Sequence, residues 1–447
     1  MQPSSDLGNW VAVWLVAAGI IVLSRYRRGA IGAGLVTAFV ISSCMAYFFG
    51  AAIYLLPWEP TSDPEVVATG FHQSTYALIA FGAGVLCTSA LVSVRARRRV
   101  TSSVLATRIP EAYIVVGLAC FLLLAPVLGR IPTAGAVLSQ GWDLLVVGLG
   151  LACWRAWQGH RSVEFGRWLA ATVFLPLLTV LTQGFLGYGA GAATAVLAFI
   201  GSFYRPRWRV FFAGLVLMYA ALSLYVTYMR DRQDIRDAVW GGEPMGVRIQ
   251  VLQHTLSSIE RFDPSNQAHL ERIDIRLNDN YLLGASVNYI QAGLARFTYG
   301  QNLWDGVLNL VPRALWPTKP FVAGSGDIVS RYTGIHFAEG TSIGVGYVME
   351  AYISFGTPGV IGLFLIFGIA LTLVDMQAGR SLLEGDWFAF ACWFLPALSL
   401  MPTESSFGEL LAGAGSAFLV AYLANRLVKR YVFRSPRRRP LHASARA

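Results

Sequence analysis

The sequence predicts an all-α, polytopic membrane helix bundle of about eleven transmembrane helices with a large helical extracytoplasmic loop. Three observations predict it. Of 447 residues, 55% are hydrophobic and only 13% charged, against roughly 25% charged in soluble domains, and the mean hydropathy is +0.53. The apolar residues gather into long runs, and basic clusters follow every second run.

The runs fall near 9–24, 30–57, 73–94, 111–129, 136–154, 167–183, 187–203, 209–228, 357–375, 386–402 and 406–425. Most hold the ~17–25 residues that a helix needs to cross hydrocarbon. The second is long enough to tilt or kink and stops at Trp58-Glu-Pro60. The sixth and seventh share a turn with Gly184, Gly187, Gly189 and Gly191, where small residues let backbones approach closely.

Charge then sets orientation. Arg25, Arg27 and Arg28 follow run one, Arg95, Arg97, Arg98 and Arg99 run three, Arg155, Arg161 and Arg167 run five, and Arg205, Arg207 and Arg209 run seven. The tail after run eleven holds Arg426, Lys429, Arg430 and Arg437-Arg438-Arg439. The positive-inside rule places these in the cytoplasm, the N-terminus outside and the C-terminus inside. Run one has no basic segment before it and is expected to stay as a span rather than be cleaved. The net charge of +10 is mostly this topology signal, so no nucleic-acid partner is expected. The five cysteines are odd in number and lie in apolar stretches, and the six histidines are scattered. Neither a disulfide framework, a metal site nor a cofactor is expected. The domain expectation is a bundle over 1–228, an external loop domain over 229–340, further bundle over 341–426 and a basic cytoplasmic tail over 427–447.

Within the loop, Val247 to Phe262, Asn280 to Ala295 and Asn302 to Leu310 read as helices. Trp304, Trp316, Phe297 and Tyr299 suit the headgroup level. The cations Arg248, Arg261, Arg272, Arg276, Arg296, Arg313, Lys319 and Arg331 can be solvated or paired with Asp231, Glu271, Asp274 and Asp279. Arg276, Arg313 and Lys319 stand out as pyrophosphate ligands. Arg313 and Lys319 flank the proline-stiffened turn Val311-Pro-Arg-Ala-Leu-Trp-Pro-Thr-Lys-Pro320, and arginine grips phosphate bidentately. Glu350 is the first choice for a general base. It can also be a helix-start acid complementing the macrodipole. Glu404, Glu409 and Asp143 are alternatives, His336 reads equally as a loop hydrogen-bonder or a catalyst, and Asp305 reads as a structural group.

Three local runs carry a family resemblance: Tyr299-Gly-Gln-Asn-Leu-Trp, the turn Val311–Pro320, and Tyr347-Val-Met-Glu-Ala-Tyr-Ile-Ser-Phe-Gly356. In order and topology they resemble the Wzy-type polysaccharide repeat-unit polymerases. Many members carry an Arg in the small-residue turn, which here reads Thr182-Gln-Gly-Phe-Leu-Gly-Tyr-Gly189 and has none. The Arg-x10-Gly spacing of some members is matched by Arg130…Gly141 and Arg313…Gly324. The resemblance implies a metal-independent glycosyltransferase of the bacterial inner membrane that joins polyprenyl-pyrophosphate-linked oligosaccharides on the periplasmic face. Glu350, Arg313 and Arg276 would be catalytic. Lys319, Arg331, Arg248, Tyr299, Trp316 and Tyr347 would bind substrate. Partners would be the bilayer, the lipid-linked oligosaccharide, a chain-length regulator and a flippase. A glycan ligase of related fold, a polysaccharide or lipid transporter, and a structural assembly partner stay open as alternatives.

Overall fold

The computed structural model describes residues 5–27, 31–92, 108–124, 127, 132–204, 208–308, 310–311, 316, 318, 325–337 and 343–432. Among the described residues the chain is helical and holds no strand. In order the helices are α1 (Ser5–Arg27), α2 (Leu35–Leu55), α3 (Pro64–Leu91), α4 (Ile109–Leu124), α5 (Val137–Gln158), α6 (Ser162–Gln183), α7 (Leu186–Tyr204) and α8 (Trp208–Trp240). Five shorter ones follow: α9 (Met245–Ser257), α10 (Gln267–Arg276), α11 (Asn280–Gln291), α12 (Gln301–Leu308) and α13 (Ser325–Thr333). Then come α14 (Tyr347–Glu384), α15 (Trp387–Leu398) and α16 (Phe407–Val432).

Eight of these, α1–α3, α5–α7, α14 and α16, are long and apolar enough to cross a membrane, and α4 and α15 are shorter apolar helices. Their outward faces are apolar, as with Val16, Ile20 and Leu23 on α1 or Phe418, Tyr422 and Leu427 on α16, all exposed. Water does not tolerate apolar surface on that scale. The chain is a multi-pass membrane protein. α8 has 33 residues, about 50 Å at 1.5 Å per residue, more than a ~30 Å hydrocarbon core requires. Its last three turns are charged and carry the fold into the α9–α13 segment.

Glycines decide how the helices meet. A methyl group on Gly284 of α11 would stand 1.8 Å from the Val66 carbonyl oxygen of α3, and one on Gly70 of α3 would stand 2.0 Å from the Asn280 oxygen. Further along α3, Gly84 faces the Leu365 oxygen of α14 at 2.4 Å, and Gly368 of α14 faces the Phe81 oxygen at 2.3 Å. α3 therefore packs backbone to backbone with α11 at the loop end and with α14 deeper in the bundle. The expected α6–α7 approach is made by Gly189, whose methyl would meet the Leu175 oxygen at 2.4 Å, whereas Gly187 and Gly191 meet nothing.

Two helices break for identifiable reasons. α2 carries a π turn over Cys44–Phe48, the kink its length allows. α14 turns at Phe355 and Gly356 (φ 67, ψ −157), two residues before Pro358. Pro358 has no N–H for the Ser354 carbonyl. The segment before α12 fills the gap: Thr298 N donates to Ile353 O (2.9 Å) and Tyr299 N to Ser354 O (3.1 Å).

At the end of the bundle away from α9–α13, two arginines of the orientation signal are paired inside the protein. Arg155 meets Glu111 and Glu164. Arg25 meets Asp375 at 2.6 Å, and the other Asp375 oxygen accepts Ala33 N (2.8 Å) and Leu35 N (2.9 Å), capping α2. Asp375 is 1% exposed. Asp375→Ala strands a buried guanidinium and two N–H groups, an expected loss of about 3–5 kcal/mol. Thermal unfolding in detergent reads this as a lower Tm, with partial recovery in the Arg25→Met, Asp375→Ala double variant. An unchanged Tm in Asp375→Ala would remove the pair from the account of the fold.

Candidate functional site

The charged end of α8 sorts its cations by face. Arg230 turns toward α9 and α10 and is neutralised: it meets Asp231 and Glu260, each at 2.6 Å. Glu260 also takes Arg272 (3.1 Å) and the Nε2 of His269 (3.1 Å), whose Nδ1 accepts Asp263 N. Because Nδ1 accepts, Nε2 carries the proton in this arrangement.

Arg232 and Arg236, four residues apart, share another face. The Arg236 guanidinium lies 4.6 Å from the Phe185 ring centroid and 4.9 Å from that of Trp240. Trp240 Nε1 donates to Gln183 O (3.2 Å) and the Tyr228 hydroxyl to Gly184 O (2.8 Å). These two bonds satisfy carbonyls left over at the C-terminus of α6, where Gly184 takes φ +77. Arg276, the last residue of α10, is exposed and lies within electrostatic reach of Arg232, Tyr225 and Tyr228. Burial first, and the neighbouring Arg232 charge second, hold Arg236 and Arg276 below the usual arginine value. Among the described residues no carboxylate pairs with Arg232, Arg236 or Arg276. A cation–π contact contributes about 0.5–2 kcal/mol and cancels no charge, so this cluster presents a standing positive potential.

A set of acids lies on the other side of the α6–α7 turn. Tyr188, 63% exposed, packs on Phe185 (ring centroids 5.5 Å) and feels the charges of Glu404 and Glu409. Glu404 reaches solvent, yet the protein around it raises its proton affinity. Asp279 begins α11 without capping it, and burial together with Glu404 pushes its carboxyl up to about 8. Glu409 is engaged by Ser325 Oγ (3.1 Å) and by the Ser406 N–H (2.9 Å). Tyr47 lies within electrostatic reach of Asp279, Glu404 and Tyr347.

Glu350 belongs to a different unit. It is 3% exposed, in the short stretch of α14 before the kink. One oxygen accepts Asn302 Nδ2 (3.3 Å), and the other accepts the Phe407 N–H at the start of α16. Asn302 Oδ1 in turn accepts the hydroxyls of Thr298 and Ser354. The runs beginning at Tyr299 and Tyr347 are thus one hydrogen-bonded unit. The helix-start role foreseen for Glu350 is exercised mainly on α16 rather than on its own helix.

The other expected residues scatter. Arg248 donates Nε to Glu243 O (2.8 Å). Arg331 is exposed at the end of α13, Trp316 is half-buried, and Tyr299 is 78% exposed at φ 50. Tyr347 is 9% exposed, and its hydroxyl lies beside Ser405. Arg313 and Lys319 lie outside the described residues, as do the Arg130 and Gly324 ends of the two Arg-x10-Gly spacings. The expected carboxylate partners correct in part: Asp231 pairs with Arg230, but Asp274 accepts from Tyr54, Ser62 and Asn278 instead of a cation. Asp279 pairs with no described cation. Arg232 and Arg236 were hidden because they sit in the mixed-charge string Arg230-Asp-Arg-Gln-Asp-Ile-Arg236, which reads as a solvated helix face. The i, i+4 spacing was the available signal.

No protein-family model, curated protein or solved structure matches this chain.

Arg230, chiefly, with His269 and Arg272 holds Glu260 at about 2, below its ordinary 4.5. A depressed carboxylate stabilises above its unfolded value and loses that contribution on protonation. The Tm of the protein should therefore fall as pH drops from about 4.5 to about 2, and Glu260→Gln should flatten that limb while lowering Tm at neutral pH. An identical acid limb in the variant would sink the assignment.

Proposed function

We propose that this chain polymerises polyprenyl-pyrophosphate-linked oligosaccharide repeat units at the periplasmic face of a bacterial inner membrane. In this reading α1–α8 and α14–α16 make eleven spans, with the N-terminus periplasmic and the C-terminus cytoplasmic, and α9–α13 form the external domain. The positive-inside pattern supports that orientation.

The observation that carries the reading is the gathering of Arg232, Arg236 and Arg276 without an acidic partner among the described residues. Like charges held together call for an anion. A glycosyl pyrophosphate meets that need twice, on binding and again as negative charge builds on the leaving group. The family resemblance adds support. The turn where many polymerases carry an Arg has none here, yet Arg236 of α8 lies over its Phe185 ring. The cation is supplied from the neighbouring helix. The lipid tail would lie in the bilayer beside the bundle. Tyr188, exposed and packed on Phe185 within electrostatic reach of Glu404 and Glu409, is a proposed sugar contact. Glu350, with both oxygens engaged, positions Asn302 and the start of α16, and Tyr347 remains a proposed substrate contact. Arg313 and Lys319 remain proposed pyrophosphate ligands, and Arg248, Arg331, Tyr299 and Trp316 proposed glycan contacts.

The test is transfer by purified protein in nanodiscs, supplied with lipid-linked repeat units extracted from producing cells, with EDTA present. Wild type should give a product ladder. Arg236→Ala and Arg276→Ala should each lower kcat/KM by about 10²–10³-fold, and Arg276→Lys should recover only part, because lysine cannot grip bidentately. A single addition to a different acceptor would move the assignment to a ligase. Glycan-lipid movement across sealed vesicles without any transfer would move it to a transporter.

A further inference from the structure

Glycosyl transfer needs a group that takes the acceptor's proton, and the carboxylates near the arginines are not equally free to do so. Both oxygens of Glu350 are occupied by Asn302 and Phe407, and both oxygens of Glu409 by Ser325 and Ser406. Asp274 is spent on Tyr54, Ser62 and Asn278. Asp279 differs from all of these.

Its backbone is fixed. Asp279 N donates to Ala46 O (3.0 Å), and its neighbours Asn278 and Asn280 are buried in a network in which Asn280 Nδ2 donates to Tyr47 O (2.7 Å) and to Asn278 Oδ1 (2.9 Å). An Asp at the first position of a helix ordinarily turns its carboxylate onto that helix's free N–H groups. Here it makes no such bond, and no described residue donates to it. The carboxylate is aimed elsewhere, and its surroundings are protein with a remaining opening to solvent. Beside it stand Glu404, from the turn between α15 and α16, and Tyr47 of α2. A methyl on Gly346 would come within 3.3 Å of the Tyr47 hydroxyl and 3.4 Å of the Thr403 oxygen, so the groups converge across four chain segments. The Tyr347 hydroxyl enters the same region, beside Ser405 and within electrostatic reach of Glu404, Glu409 and Glu350. A carboxylate left uncapped amid protein costs stability, and a hydroxyl-bearing ligand would satisfy it.

The cation side lies three residues away. Arg276 ends α10 within electrostatic reach of Arg232, and Asp279, three residues on, is within electrostatic reach of Glu404. We propose that Asp279 is the general base of the transfer. Its carboxylate takes the proton of the acceptor hydroxyl as that oxygen bonds to the sugar C1. The C1–O bond to pyrophosphate breaks, and its electron pair leaves with the lipid pyrophosphate, held by the arginines. This inference rests on the polymerase reading. A base poised near neutral pH accepts a proton readily while remaining partly ionised. Burial raises Glu350 as well, to about 7, so it is the unbonded carboxylate of Asp279, not its proton affinity, that separates the two.

The assay above decides it. With wild type giving a ladder, Asp279→Asn should lower kcat by about 10²–10⁴-fold and leave KM for the lipid-linked unit little changed, whereas Arg276→Ala should act on KM as well. Asp279→Glu should keep partial activity, because a displaced carboxylate remains. Glu404→Gln removes the charge that raises Asp279, so the acid limb of kcat should move to lower pH, a shift that a merely structural role would not produce. Retention by Asp279→Asn of kcat within about threefold of wild type, or an acid limb unmoved by Glu404→Gln, overturns the base while leaving the polymerase intact. Asp279→Asn should elute as a single species and bind inorganic pyrophosphate as wild type does. Should it misfold, Asp279→Glu and Glu404→Gln carry the decision. If wild type makes no polymer from any extract, the polymerase reading falls, and the base with it.

Discussion

The close approach of α3 to α11 and α14 is the constraint on which the rest of the molecule depends. At Gly70 and Gly284 two backbones meet where any side chain would overlap a carbonyl. The same geometry recurs at Gly84 and Gly368. In hydrocarbon, apolar side chains gain little by leaving lipid, so helices associate through contact area and dispersion at short range. Glycine supplies both. Because α11 belongs to the α9–α13 segment and α14 to the bundle, α3 locks the two together. The positions of Arg276 and Asp279, which immediately precede α11, follow from that lock. A softer contact would leave the cation and the carboxylate free to drift relative to α8 and α16.

Polar groups complete what the glycines begin. The kink in α14 frees carbonyls that Pro358 cannot serve, and Thr298 and Tyr299 bind them. Asn302 then joins Thr298, Ser354 and Glu350, and Glu350 takes the first N–H of α16. Every member of this unit answers an unsatisfied donor or acceptor created by its neighbour, which is what a low-dielectric setting demands. The exposed Tyr299 at positive φ is the backbone cost of bringing that strap across.

Charge is partitioned with the same economy. Arg230, Arg272 and His269 converge on Glu260 and are silent at long range. Two residues further along α8, Arg232 faces another way and joins Arg236 and Arg276 with no acid to cancel them. The carboxylates that could have done so, Asp279 and Glu404, pair with no described cation, and Glu404 raises the proton affinity of Asp279 instead. A field of this form, positive at one cluster and protonatable at another, is a property of arrangement rather than of composition.

What the sequence determined by itself was everything that depends on local pattern. Run length and hydropathy marked each helix of the bundle, since a helix in lipid must satisfy its own backbone and wear apolar side chains. Loop periodicity located α9, α11 and α12, though α10 and α13 escaped it because each is about three turns or shorter and strongly polar. Arg276 stood out among the loop cations, and Glu350 because it lies just before a span. Only the tertiary structure decided which of these meet. Glu350 proved to be tied to α16, and the arginines around Arg276 came from a stretch of α8 that reads as ordinary solvated helix. Asp279, read as a counter-ion, proved to have no described cation beside it. Pairing across 40 or more residues, as between Arg236 and Phe185 or Asp279 and Glu404, leaves no periodic trace. It is set by where glycines let backbones touch, and such contacts join residues that are distant in the chain.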